Sequence, residues 1–567
     1  MAVKKQSGKF DLFSRIAIAL VAIIIFLFVL LPVGTMILRS FREGGPDVYK
    51  SLLDNPYVRR IVINTVWLGI SVGALGTLLG FILAYIQVRV NFRGKKIQHV
   101  LNLVPLVSPP FAFATAVIVL FGRSGIISRD IFGLQPTLYG YPGLILVLTL
   151  SYFPVAYMNL LGMMKSLDPA IDEAGSSLGA TKVRIFRTIT IPLLIPGIAS
   201  SFLLLFVETI ADLANPLVIG GDYTVLALRA YIAISGEFNL AGGAAYSAVL
   251  LVPALLVFII QRYWSQKNSV VSVTGKPSGQ ISPITNKFAK TILLSFGWFV
   301  SFFIVLIYAT VIGGAFVKII GINNSFTLDN FRYILSGVGN DAVIKTTMMA
   351  LIAMPIAGLL GMLIAWLVIR KLRRGAEILD FFGMLGIALP GTVLGIGYAF
   401  TFNEPIKIFG ITILPQIAGG GSIFGGAVAI VAVYMVRSSP VGQRSGIAAL
   451  QQIDPAIDEA SASLGASGGR TFRKISLPLI RPAFLTGLMF AFARSMTTLS
   501  PIIFITTPNT PIITSLILAE ADTARYGYAF ALCLILMTIV LTVMGLINLV
   551  VRGQRKSNYQ PNVIVGG

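Results

Sequence analysis

Stretches of about twenty apolar residues recur from one end of this chain to the other, and few folds accommodate that. Twenty residues is about the length a helix needs to cross the hydrocarbon of a bilayer. Inside hydrocarbon only helices and closed barrels satisfy every backbone polar group. The 567 residues are 56% hydrophobic and 12% charged, against about 25% charged in soluble domains. Twelve segments qualify as spans: 16–38, 61–88, 98–121, 141–164, 192–213, 241–262, 291–316, 343–369, 379–402, 423–440, 479–500 and 527–551. The expected fold is an all-α membrane protein with twelve transmembrane helices.

The formal charge of +22 invites a nucleic-acid reading, but its distribution argues otherwise. With these spans, roughly twice as many Lys and Arg fall on the N-terminal side of the membrane as on the other, which places both termini in the cytoplasm. The basic clusters are short and sit at span ends, as in Arg89, Arg93, Lys95 and Lys96, or Arg370, Lys371, Arg373 and Arg374. No basic module has a fold of its own, so nucleic acid is excluded as a partner. Cys533 and His99 stand alone of their kind, which excludes disulfides within the chain and metal sites built from Cys and His. Cys533 reads as buried packing and His99 as an interfacial residue. The first apolar run, Ile16 to Leu38, has no small-residue cleavage pattern after it and reads as the first helix, not a removed signal.

The chain is also a tandem repeat. Asp168-Pro-Ala-Ile-Asp-Glu-Ala174 recurs letter for letter as Asp454-Pro-Ala-Ile-Asp-Glu-Ala460, 286 residues on. At that offset Ser177-Leu-Gly-Ala180 matches Ser463-Leu-Gly-Ala466, and Arg184, Phe186 and Arg187 match Arg470, Phe472 and Arg473. Earlier in each half the offset is 281: Gly80, Ala84, Arg89 and Pro109 align with Gly361, Ala365, Arg370 and Pro390. A polar stretch from Gln266 to Asn286 separates the copies. The division is a first half at 1–265, a cytoplasmic linker at 266–290, a second half at 291–552 and a cytoplasmic tail at 553–567. Six spans per half is an even number, so both copies have the same orientation, with a path expected at their interface.

The repeated loop has a definite local design. Asp168 suits an N-cap and Pro169 the first helical position. Asp172 and Glu173 put negative charge at the positive end of the helix dipole. Ile171, Ala174 and Leu178 share one face, and Gly179 permits a left-handed end. The spacing predicts a short capped helix protruding on the cytoplasmic side, followed by a basic amphipathic segment and a new span at Pro192.

The pattern Glu173, Ala174, Gly179, Pro192, repeated as Glu459, Ala460, Gly465, Pro478, resembles the coupling loop of ABC importer permeases. The third motif position, commonly Ala, is Gly175 in one copy and Ser461 in the other, both small. The resemblance implies two parallel six-helix repeats of the type I importer fold in the bacterial plasma membrane. It assigns Asp168, Asp172, Glu173, Ala174, Gly179 and Pro192, with Asp454, Asp458, Glu459, Ala460, Gly465 and Pro478, to docking of two copies of a cytoplasmic ATPase subunit. An extracytoplasmic solute-binding protein is the other implied partner. The chain contains no Walker A pattern, so ATP and magnesium are expected on the partner subunit, with no catalytic residue, cofactor or firm metal site here.

The fused arrangement and the run Glu208-Thr-Ile-Ala-Asp212 look most like ferric-iron-type permeases; 2-aminoethylphosphonate or another phosphorylated solute, thiamine and polyamines are the alternatives. An ion-driven secondary transporter is the rival class. Glu208 and Asp212 share a helix face, and a carboxylate at mid-bilayer costs about 2.5–3.5 kcal/mol on insertion scales, so both are expected to face protein or a water path. Glu208 corresponds to Arg494 at offset 286. They are expected to meet across the interface as a structural ion pair or a gate, with Thr497 and Thr498 beside them.

Overall fold

The structure, a computed structural model, describes residues 11–42, 44–267, 284, 286–372 and 374–557. Most of the expected linker, and residues 558–567 of the tail, lie outside them. The apolar runs form helices, and among the described residues ten are long and apolar enough to cross a membrane: Leu12–Arg39, Pro56–Arg89, Phe111–Ile131, Tyr141–Ser166, Lys182–Ile210, Leu240–Trp264, Lys287–Ala315, Val338–Lys371, Phe424–Gln451 and Tyr526–Val550. Two bent pairs, Ala376–Ala388 with Gly391–Phe402 and Gly468–Leu479 with Arg481–Thr497, bring the number to twelve when each is counted as one span.

Two expected spans are broken and a third is bent at its entry, and proline explains where. The ninth turns by 97° between Ala388 and Gly391. Pro390 offers no amide donor, and Leu389 before it takes extended angles of φ −79° and ψ 130°, as a residue preceding proline does. In the third, expected at 98–121, Lys95–Leu103 gives way to Pro110–Phe121 across a stretch containing Pro105 and Pro109. The eleventh bends by 79° at Ile480, between Pro478 and Pro482.

Packing repeats between the halves. Gly69, Gly73, Gly76 and Gly80 let the second span press against the fourth and fifth: a Cβ on Gly76 would sit 2.5 Å from Leu205, and one on Gly80 would sit 2.7 Å from the Tyr157 nitrogen. Gly361, the counterpart of Gly80, makes the same approach to the Gln443 nitrogen at 2.7 Å. Such small-residue contacts let helix backbones approach closely in a bilayer. After the fifth and eleventh spans, short helices Leu226–Ser235 and Ile513–Asp522 begin alike. Leu226 N–H donates to Thr65 Oγ1 at 2.8 Å, and Ile513 N–H to Thr346 Oγ1 at 3.0 Å.

The first span of each half packs on the other half. Tyr398 donates its hydroxyl to the Phe28 carbonyl at 2.8 Å, Thr35 bonds Thr401, and Phe13 lies against Trp366. Reciprocally, the Tyr308 hydroxyl bonds Ser108 at 2.6 Å, and Trp298 and Phe303 pack on Phe92 and Phe121. The exchange ties the two halves into one body. The second half alone carries two antiparallel hairpins among the described residues, Val317–Ile319 with Asn323–Phe326 and Ile406–Ile408 with Ile411–Leu414.

Candidate functional site

Two places gather the residues singled out in the sequence: the repeated loops, and a cavity between the halves.

In the first loop the helix Pro169–Ser177 begins at Asp168, whose carboxylate accepts the Ala170 N–H at 3.0 Å. Asp454 accepts the Ala456 N–H at 2.9 Å, and its helix runs Ala456–Ser463. Both helices end in the left-handed conformation, Gly179 at φ +79° and Gly465 at φ +78°. Glu173, Ala174, Glu459 and Ala460 are exposed. So are the apolar tips: Leu178 and Leu464 are each 88% exposed, Ile171 40% and Ile457 41%. Gly175 and Ser461 instead face inward. Gly175 meets Ile185 and Ile189, and Ser461 bonds the buried Thr471 hydroxyl at 2.9 Å.

Each loop is tied to the end of an earlier span by an ion pair. Asp172 pairs with Arg89, and Asp458 pairs with Arg370 at 2.8 Å. Arg370 also donates to the carbonyls of Ile453 at 2.7 Å and Leu450 at 3.1 Å. Asp172 and Asp458 thus hold each loop against the membrane body while Glu173 and Glu459 point away.

The two prolines differ from expectation and from each other. Pro192 does not open its span, because the helix is already continuous from Lys182 and a widened turn at Phe186–Thr190 accommodates the missing amide. Pro478 stands just before the 79° bend. The second loop also holds the start of the first span: Asp11 accepts the Gly468 N–H at 2.7 Å and bonds Ser14. Partial burial opposes ionisation of Asp11, but these bonds and the nearby Lys371 hold its carboxyl below the usual range.

The cavity, of about 270 Å³, is lined by Glu208, Asp212, Arg494, Thr497 and Thr498 together with Tyr152 and Arg437. Matching positions of the two halves line it together: Ser151 and Arg437, Val155 and Val441, Glu208 and Arg494, Asp212 and Thr498. Arg494 donates to Glu208 Oε1 at 3.1 Å, and both side chains keep about a quarter of their surface accessible. Asp212 is buried and held differently. It accepts from the Tyr152 hydroxyl at 2.7 Å, the Asn215 side chain at 2.5 Å and the Asn215 N–H at 3.1 Å. The Thr497 and Thr498 hydroxyls turn back to carbonyls of their own helix at 3.0 and 2.6 Å. The first half therefore supplies acid to the cavity and the second half base.

Arg437 was not anticipated as a site residue. Its signal lay in the repeat: it is one of the few cations within a span and replaces Ser151 at offset 286. It is 8% exposed and donates to the Leu389 carbonyl at 3.2 Å, the residue freed by the Pro390 bend.

Comparison with known proteins finds relatives across both halves. Residues 76–270 and 341–556, one block in each half, match the family described as binding-protein-dependent transport system inner membrane component. A ferric transport system permease protein of Actinobacillus pleuropneumoniae is 33% identical, covering 95% of this chain and 78% of the relative. A putative ferric transport system permease protein of Haemophilus influenzae is 34% identical over 89% of this chain and 79% of the relative. A further Fe(3+)-transport system permease protein of Haemophilus influenzae is 26% identical over 92% of this chain and 96% of the relative.

Proposed function

Because this chain belongs to the family of binding-protein-dependent transport system inner membrane components, and so is the membrane-spanning permease of an ATP-binding-cassette importer, we propose that it admits ferric iron. The observation that carries the substrate is identity of about a third to two ferric permeases over nearly the whole chain. The cavity supports it, since Glu208 and Asp212 offer hard oxygen donors on the path. Two copies of a separate ATPase, carrying ATP and magnesium, dock on the exposed tips around Leu178 and Leu464, and a solute-binding protein delivers iron from outside. Docking of the ATPases closes the loops together, and the paired Arg89–Asp172 and Arg370–Asp458 contacts pass that movement to the second and eighth spans.

The test is uptake of radioactive ferric iron by cells expressing the complete importer, against cells lacking only this chain. Uptake is expected to depend on the chain and to resist excess 2-aminoethylphosphonate, thiamine or spermidine. No iron uptake, together with chain-dependent uptake of one of these solutes, would move the assignment to that solute.

The orientation has its own check. Cysteine labels at Leu178 and Leu464 are expected to react only from the cytoplasm in a Cys533→Ala background, and labels at Tyr139 and Asn324 only from outside. A label reacting from the wrong side would reverse the placement of the loops and remove their access to ATPase subunits.

A further inference from the structure

We infer that Arg437 and Arg494 form a seat for a small oxyanion on the translocation path. The inference rests on reading the cavity as that path, and it goes beyond iron as the cargo.

The cavity holds two carboxylates and two guanidiniums, but they are not paired one to one. Glu208 is the carboxylate available to both guanidiniums, and it is already bonded to Arg494. Asp212 is engaged by Tyr152 and Asn215 on the first half's side. Among the described residues no carboxylate lies within ion-pair distance of Arg437. That leaves a buried guanidinium with a carbonyl for a partner, beside a second cation close enough to repel it. A cation without a direct ion pair in a membrane interior is costly, and such groups ordinarily mark a substrate or ion pathway. Two donors are also unused: the Nε atoms of Arg437 and Arg494 are both buried without a partner. Two neighbouring guanidiniums with N–H donors to spare are suited to a carbonate, carboxylate or phosphate oxygen.

The seat is built into the fold. Pro390 breaks the ninth span, the break frees the Leu389 carbonyl, and that carbonyl holds Arg437 facing the cavity from the tenth span. The first half has Ser151 at the matching position, so the repeat provides one anion seat, opposite the acidic side. A cavity with carboxylates on one wall and guanidiniums on the other can take a metal ion together with an oxyanion bound to it, and a bare trivalent cation would meet two positive groups there.

The first measurement uses the purified full-length chain in detergent with inorganic phosphate, at ionic strength matched by chloride and without iron. Phosphate is expected to raise the unfolding midpoint with a saturable dependence, as a ligand of the folded state does. Arg437→Lys should reduce the rise and Arg437→Gln should abolish it. No rise in the unmodified chain, or an equal rise in Arg437→Gln, overturns the seat. Should Arg437→Gln fail to accumulate, saturable binding of radioactive phosphate to the unmodified chain decides, and its absence overturns the proposal. The second measurement reconstitutes the chain with its ATPase and binding protein in liposomes and counts radioactive iron and phosphate together. Entry of both in constant ratio shows the anion travelling as a ligand of the cargo. Saturable binding without entry shows a resident counter-ion. Either outcome keeps the seat. Binding is read without iron, so failure of iron uptake leaves it untouched, and iron uptake without phosphate binding removes the seat alone.

Discussion

Valine at both Gly179 and Gly465 is expected to abolish substrate-stimulated ATP hydrolysis by the assembled importer while the chain still inserts. Both glycines lie in the left-handed region, at φ +79° and +78°. In each loop two amides turn back across the helix end: Gly179 to Ser176 at 3.0 Å and Ala180 to Gly175 at 3.1 Å, then Gly465 to Ala462 at 3.0 Å and Ala466 to Ser461 at 3.1 Å. A Cβ at either position would meet nothing within 4 Å, so valine acts through the backbone and not through collision. Holding a β-branched residue there costs on the order of 1–3 kcal/mol, and a factor of ten in population is about 1.4 kcal/mol. Each loop should therefore leave its docking shape by roughly five- to a hundredfold, carrying Leu178 or Leu464 away. Asparagine tolerates left-handed angles, so Gly179→Asn with Gly465→Asn should retain much of the coupling. Normal transport in the double valine variant would remove these loops from the transmission of ATP hydrolysis.

The loops were legible because their design is local. An N-cap, a first-turn proline and a left-handed glycine within a dozen residues specify a helix and its end without help from the rest of the chain. The ion pairs behind them were not legible in that way. Arg89 and Asp172 sit in different blocks of the repeat, one at offset 281 and the other at 286, and only folding brings the loop back onto the second span. The exchange of first spans was hidden for a related reason. Leu12–Arg39 and Lys287–Ala315 are apolar around most of their circumference, as lipid-facing helices are, so periodicity does not say which half they cover. The bends at Leu389–Pro390 and Ile480 left prolines in plain view, yet a proline inside an apolar run is compatible with a kinked continuous helix as much as with a break: Pro154, Pro253 and Pro355 lie inside unbroken helices. Arg437 is singled out only by comparison with Ser151, its counterpart in the repeat, because nothing in its own neighbourhood of sequence marks it.

Neutralising Glu208 is expected to damage transport more than neutralising Arg494, and the double neutral variant should recover part of the loss. The bond of 3.1 Å between them joins the two halves at matching positions of the repeat. Were the pair simply a fastener, either single change would do similar harm. Arg437 makes the consequences unequal. Glu208 also lies in the field of Arg437, so Glu208→Gln leaves two guanidiniums facing one cavity without a carboxylate between them. Arg494→Gln leaves Glu208 with Arg437 still near it. Contacting residues in one ionic network couple by about 0.5–3 kcal/mol, and with tenfold for each 1.4 kcal/mol the double variant should exceed the product of the single effects by roughly two- to a hundredfold. The charge-swapped pair, Glu208→Arg with Arg494→Glu, should recover less than the double neutral variant, because it moves a cation to the acidic wall while Arg437 stays in place. Initial rates of iron uptake at matched expression provide the comparison, with ATP hydrolysis in purified complexes separating a path defect from lost coupling. Strictly multiplicative losses would mean that the two residues act independently. Equal losses in the two single variants, with recovery in the double, would keep the pair as a fastener and deny Arg437 any part in it.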